Sequence, residues 1–141
     1  MSDIASEIRE KLLGMRDDAT SAALKRYFKT GPGEYGDGDI FLGIKTPQVR
    51  AVVKDVWNQC GTDDAAELAR DGWHEVRCCG LLILTQKFLH SMKHGDAGGM
   101  QEVFSLYTSL YPYINNWDLV DITAPGITGN YEMLFPSETL L

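Results

Sequence analysis

Cysteine is scarce in this 141-residue chain; the three present are Cys60, Cys78 and Cys79. The count is odd, and no C-x-x-C pair occurs, so zinc-binding and thioredoxin-like readings have no support. Reduced core thiols are the expectation. Long apolar runs are missing as well. The longest, residues 78–84, is far too short to span a membrane. The first residues, Met1-Ser2-Asp3-Ile4-Ala5-Ser6-Glu7, lack the basic start and apolar stretch of a secretory signal, which makes the cytoplasm the expected location. The third shortage is of positive charge. Residues 94–141 contain six Asp and Glu and no Lys or Arg, whereas residues 1–93 hold all 13 Lys and Arg against 14 acids. Phosphate binding needs clustered cations, so a net charge of −7 by itself speaks against nucleic acid as a partner. What is present is ordinary. Hydrophobic residues make up 44% and charged residues 23%, the balance of one globular domain large enough to bury a core without disulfides or metal.

Helical periodicity dominates the chain. Ile4, Ile8, Leu12 and Leu13 predict a helix over residues 3–16, and Ala22, Ala23, Tyr27 and Phe28 a second over 18–29. Four glycines and a proline in residues 30–39 then make a loop. It lacks both the G-K-[S/T] ending of a phosphate loop and a complete set of calcium-loop acids. Residues 40–44 read as a buried connector, with a short strand as the alternative. Thr46-Pro47 predicts a helix start, with Thr46 as the cap and proline at the first helical position. Val49, Val52, Val53, Val56 and Trp57 form its apolar stripe. Gly61-Thr62-Asp63 ends that helix and caps the next, and a long helix follows over about 74–90. Further helices are expected over about 100–111 and after Asn115 or Asn116, with Pro125-Gly126 ending or kinking the latter, and a last one from near Ile127. About eight short helices with no strand pair suit stacked antiparallel pairs, an α-α superhelix of HEAT-like repeats, with a compact helical bundle as the alternative.

Two segments have chemistry to offer. In Ile114-Asn115-Asn116-Trp117-Asp118-Leu119-Val120-Asp121, Trp117 and Asp121 are four apart and share a helical face, which sets an aromatic plane beside a carboxylate. Spacing alone also fits a packed Trp with a solvated or salt-bridged Asp. Asp118 suits the positive end of a helix dipole. In the second segment, Lys45 precedes a helix N-terminus whose free N–H groups can hold a phosphate, although a solvated lysine fits equally. His90 and His94 are four apart without the Glu of a metalloprotease motif, and read as surface residues. In His74-Glu75-Val76-Arg77, Glu75 lies near a helix start and Arg77 is an ion-pair candidate. The cations able to line one face are Lys45, Arg50, Lys54 and Arg77.

These segments resemble the DNA alkylation repair family, in its alkylpurine DNA glycosylase form. The resemblance rests on residues 38–47 (Gly-Asp-Ile-Phe-Leu-Gly-Ile-Lys-Thr-Pro) with Arg50, on His74-Glu75-Val76-Arg77, and on Asn115-Asn116-Trp117-Asp118-Leu119-Val120-Asp121, continued by Ala124-Pro125 and Gly129. It runs from about Tyr27 to Tyr131. It implies a HEAT-like superhelix gripping duplex DNA and excising N3- or N7-alkylated purines. Asp121 would be the catalytic carboxylate and Trp117 the groove aromatic, with Lys45, Arg50 and Tyr27 on the DNA. Neither metal nor small-molecule cofactor is implied, nor a membrane. Residues 1–141 are expected to be one domain, the N-terminal portion of a longer family domain. The alternative is a catalytically incomplete helical-repeat scaffold that binds protein or nucleic-acid structures.

Overall fold

A computed structural model describes residues 1–27, 40–114, 119 and 123–135. Among them the chain forms α1 (Asp3–Leu13), α2 (Asp18–Tyr27), α3 (Thr46–Val56), α4 (Thr62–Ala69), α5 (His74–Lys93), α6 (Ala97–Ser109) and α7 (Asn130–Leu134). A 3-10 turn spans Tyr111–Tyr113, and a π-helical turn spans Pro125–Gly129. α1 and α3 follow their apolar spacing, whereas in α2 Ala22 and Ala23, expected to pack, are exposed and Ser21 is buried. α1 buries Ala5, Ile8 and Leu12, and Ser2 caps it by accepting the Ala5 N–H. α3 buries Val49, Val52 and Val53. The Gly-rich residues 30–39 and the expected helix start at Asn115 or Asn116 lie outside the described residues.

Two helix starts share a device that differs from the expected one. Thr46 is not the cap of α3; Lys45 is, with extended backbone, and its N–H donates to Gln48 Oε1 at 3.0 Å. Likewise Gly61 caps α4 and donates its N–H to Asp64 Oδ2 at 2.9 Å. In both, the side chain three residues in reaches back to satisfy the cap N–H. The hydroxyl of Thr46 is therefore not needed, and Pro47 is the second helical residue. Pro125 and Gly126 do not end the helical path. The backbone widens into a π turn there and runs directly into α7.

α5 is the centre of the packing. His74 through Leu84 are buried without a break, so its first three turns are enclosed on all sides. It packs on α3, α4 and α6; α4 also meets α6, and α1 meets α4. The α4–α5 approach is close at Gly80, where an added Cβ would stand 2.5 Å from the Ala65 carbonyl and the Ala69 amide. Connections of three or four residues between α4, α5 and α6 make consecutive helices antiparallel. Helices α3 and α5 thus lie in one layer, and α4 and α6 in the other. Contacts between every second helix are those of stacked hairpins, and the fold is an all-α helical repeat. No strand occurs among the described residues; residues 40–44 are a buried connector, with one isolated parallel bridge from Ile40 to Trp73. No described helix is long and apolar enough to cross a membrane.

Candidate nucleic-acid interface

Two segments singled out in the sequence, the one leading into Lys45 and His74-Glu75-Val76-Arg77, meet in space. Phe41, Leu42, Gly43 and Ile44 are buried, and their backbone polar groups find specific partners. The carboxylate of Glu75 is itself buried and accepts three backbone N–H donors: Leu42 at 2.8 Å, Gly43 at 2.8 Å and Ile44 at 3.0 Å. Being the second residue of α5, Glu75 also lies at the positive end of a 20-residue helix. On the other side, Ser21 Oγ donates to the Phe41 carbonyl at 2.7 Å, and the Asp17 N–H to the Leu42 carbonyl at 2.9 Å. The His74 N–H donates to the Ile40 carbonyl at 2.9 Å. Gly43 has φ +90°, and a Cβ there would fall 1.9 Å from the Asp17 carbonyl oxygen. Only glycine fits this crossing. The connector is therefore clamped between the start of α2 and the start of α5, and it delivers Lys45 to the surface at a defined place.

Lys45 is exposed beside a polar cleft of about 390 Å³ that Met15, Asp17, Thr20, Gly43 and Gln48 also line. Arg50 is exposed further along α3 and lines a different cleft, of about 160 Å³, with Val53, Lys54, Trp57, Leu82 and Gln86. The two cations are thus carried by the same helix but do not share one site. Arg77 does not join them. It is buried, with 7% exposure, and its Nη1 donates to the carbonyls of Asp71 at 3.2 Å and Gly72 at 3.1 Å. The guanidinium thus lies under the turn before α5. Tyr27 is the last residue of α2. Trp117 and Asp121 lie outside the described residues.

Sequence reading placed Trp57 in the apolar stripe of α3. The structure leaves it half-buried at the rim of the Arg50 cleft, where its ring lies 5.3 Å from that of His90. His90 in turn is 4.4 Å from His94, and both histidines are exposed. The available signal was the spacing of Arg50, Lys54 and Trp57 at i, i+4 and i+7, a second face of the helix that was read only for its core side.

A third cavity, of about 380 Å³, is lined by Tyr107, Tyr111, Ile114, Ala124 and Thr128. Beside it Tyr107 is buried and its hydroxyl pairs with Thr123 Oγ1 at 2.8 Å; Thr123 donates to the Leu119 carbonyl, four residues back. Burial pushes the Tyr107 phenol above its ordinary range despite that hydrogen bond, so it is a neutral donor or acceptor. Leu119 and Thr123 are both fully buried. Among the described residues no cluster of three or more His, Cys, Asp and Glu side chains is placed to hold a metal ion.

Compared with known families, residues 8–140 match a family model described as DNA alkylation repair enzyme. Neither the curated proteins nor the solved structures compared with the chain give a match.

Proposed function

Because the chain belongs to the DNA alkylation repair enzyme family, we propose that it is a glycosylase excising N3- or N7-alkylated purines from duplex DNA, with Asp121 as the catalytic carboxylate and Trp117 as the aromatic beside it. The observation that carries the reading is the reach of the family match, whose residues 8–140 take in the Lys45 segment and the Trp117–Asp121 segment together. The HEAT-like form of the repeat and the single-domain extent of residues 1–141 are part of the same proposal.

The chemistry suits these residue types. Alkylation at N3 or N7 makes the purine a cationic leaving group, which departs without a general acid. What remains is the positive charge that develops on the sugar as the glycosidic bond breaks. A carboxylate held beside the sugar stabilises that charge and orients the attacking water. An indole face attracts the cationic base by cation–π contact, worth roughly 1–2 kcal/mol when desolvated. Lys45 and Arg50 are exposed on α3 and, like Tyr27, are proposed to hold the duplex.

The test is release of 7-methylguanine from a duplex carrying that lesion. The protein should release the base well above the spontaneous rate. Asp121→Asn should lower the single-turnover excision rate about 10²-fold or more while duplex affinity changes little. Excision that survives Asp121→Asn, or that never exceeds the spontaneous rate, sinks the proposal. Salt-sensitive duplex binding without excision would favour the scaffold alternative.

A further inference from the structure

The cavity between α6 and the π turn has no part in the proposed function. Tyr107, Tyr111, Ile114, Ala124 and Thr128 line its volume of about 380 Å³, and none of the five side chains is charged. A cavity of roughly 150 Å³ between apolar side chains holds a benzene molecule. About two and a half times that volume admits two fused rings. Tyr107 is 1% exposed and Tyr111 52%, so the cavity runs from the interior out to solvent. Their rings meet edge to face, with centroids 5.8 Å apart and planes at 89°. A flat ring stacked on one therefore meets the edge of the other, an arrangement aromatic groups favour. The π turn adds a polar group without a partner. Thr85, Thr108 and Thr123 each return the hydroxyl to a carbonyl three or four residues back. Thr128 does not. The carbonyl four residues before it, that of Ala124, accepts the Gly129 N–H at 3.0 Å in the widened turn. Thr128 Oγ1 is buried and has no hydrogen-bond partner among the described residues. Such an atom lowers stability unless something meets it. A water would need about two to four polar partners, and the Tyr107 phenol on the same wall is already paired with Thr123.

We infer that this cavity is a binding site for a neutral, flat, two-ring molecule carrying one hydroxyl or carbonyl group, which meets Thr128 Oγ1 while its rings pack against Tyr107 and Tyr111. The uncharged wall selects against ions, whose desolvation would go uncompensated. It also selects against a free purine base, which brings several polar edge atoms to a wall with one unpaired buried hydroxyl. A hydroxyl left without a partner beside a cavity destabilises the free protein and favours the complex, a trade-off common where function and stability compete. The site needs neither DNA nor excision, and it goes beyond the proposed function.

The probes are 2-naphthol, naphthalene and adenine, titrated against the full chain at pH 7 and followed by the methyl resonances of Ile114 and Ala124. 2-Naphthol should shift them saturably, with a Kd on the order of 10⁻⁴ M or tighter. Thr128→Val keeps the shape of the side chain and removes the hydroxyl. It should raise the melting temperature of the free protein by about 3 °C. It should also weaken 2-naphthol about 10-fold and leave the affinity for naphthalene unchanged. Ala124→Leu fills the cavity and should abolish binding of both, its melting temperature establishing that it is folded. The inference is overturned if 2-naphthol gives no saturable shift, or if it binds Ala124→Leu as well as it binds the parent. It is also overturned if Thr128→Val affects 2-naphthol and naphthalene equally or lowers the melting temperature. Tighter binding of adenine than of 2-naphthol overturns the ligand class. None of these measurements involves DNA, so their outcome is independent of the excision assay.

Discussion

Glu75 holds three backbone N–H groups on one buried carboxylate. Hydrogen bonds to a charged group contribute about 1.5–3 kcal/mol each before desolvation, and desolvating the carboxylate takes back several kcal/mol. The intact arrangement is therefore only modestly favourable. Breaking it is another matter, because the donors of Leu42, Gly43 and Ile44 are buried and have no water to turn to. Glu75→Gln keeps the shape but places an amide NH₂ against N–H groups. We expect it to lower stability by about 3 kcal/mol, read as a lower urea midpoint with an unchanged slope. A loss below about 1 kcal/mol would show that the connector is held by its other partners. The sequence made Glu75 legible as a residue favoured at a helix start. It did not reveal that its partners lie more than thirty residues earlier, because nothing local in His74-Glu75-Val76-Arg77 refers to the Leu42–Ile44 backbone.

At the level of elements, the contact between α4 and α5 depends on Gly80. Mid-helix glycine costs about 0.5–1 kcal/mol relative to alanine, so propensity alone would favour Gly80→Ala. The added Cβ, however, would stand 2.5 Å from backbone atoms of Ala65 and Ala69, which cannot rotate away as a flexible side chain can. Overpacking of that kind costs about 1–3 kcal/mol and outweighs the propensity gain. Gly80→Ala should lower the melting temperature. Gly98→Ala, in the first turn of α6, meets nothing nearer than Asp96 Oδ1 at 3.7 Å and should leave the melting temperature level or raise it. The helices themselves were readable from periodicity, and their ends fell within a few residues of expectation. Their caps were less so: Lys45 and Gly61 occupy positions where a hydroxyl is commoner, and their amides are satisfied by Gln48 and Asp64 instead.

On the scale of the whole molecule, the three thiols report global unfolding. Cys60, Cys78 and Cys79 are all buried. Burial pushes Cys60 up to about 11 and Cys79 up to about 12 from an ordinary 9.0, so both remain protonated thiols in the folded state. The folded protein thus binds more protons than the unfolded chain between pH 9 and 12, and by linkage its stability falls as pH rises through that window. Below pH 9 these thiols should have no effect on the pH dependence. Urea titrations at pH 8, 9 and 10 should give similar midpoints at the first two and a lower one at the third, and the native protein should resist a thiol reagent at pH 8 while the unfolded chain reacts at all three cysteines. Ready labelling of Cys79 without unfolding would contradict this. Charge is also a whole-molecule property. Its sum is unfavourable for a polyanion, yet the cations of α3 and α5 remain locally in excess.

The sequence alone determined that the protein is helical, where most helices begin and end, that its cysteines are core residues and that its family is that of DNA alkylation repair. These follow from local periodicity, spacing and motif identity, which need no knowledge of what lies across the chain. Tertiary structure decided the rest among the described residues. It buried Arg77 beneath the 71–72 turn, separated Lys45 from Arg50, and set Trp57, which packs against the core as its stripe position predicts, at the rim of a cationic cleft beside His90. Each outcome depends on helix–helix approach, which joins residues far apart in sequence. The shortage of positive charge is real in sum and falls in residues 94–141, but only packing sets Arg50 and Lys54 beside Leu82 and Gln86 of α5 in one cleft.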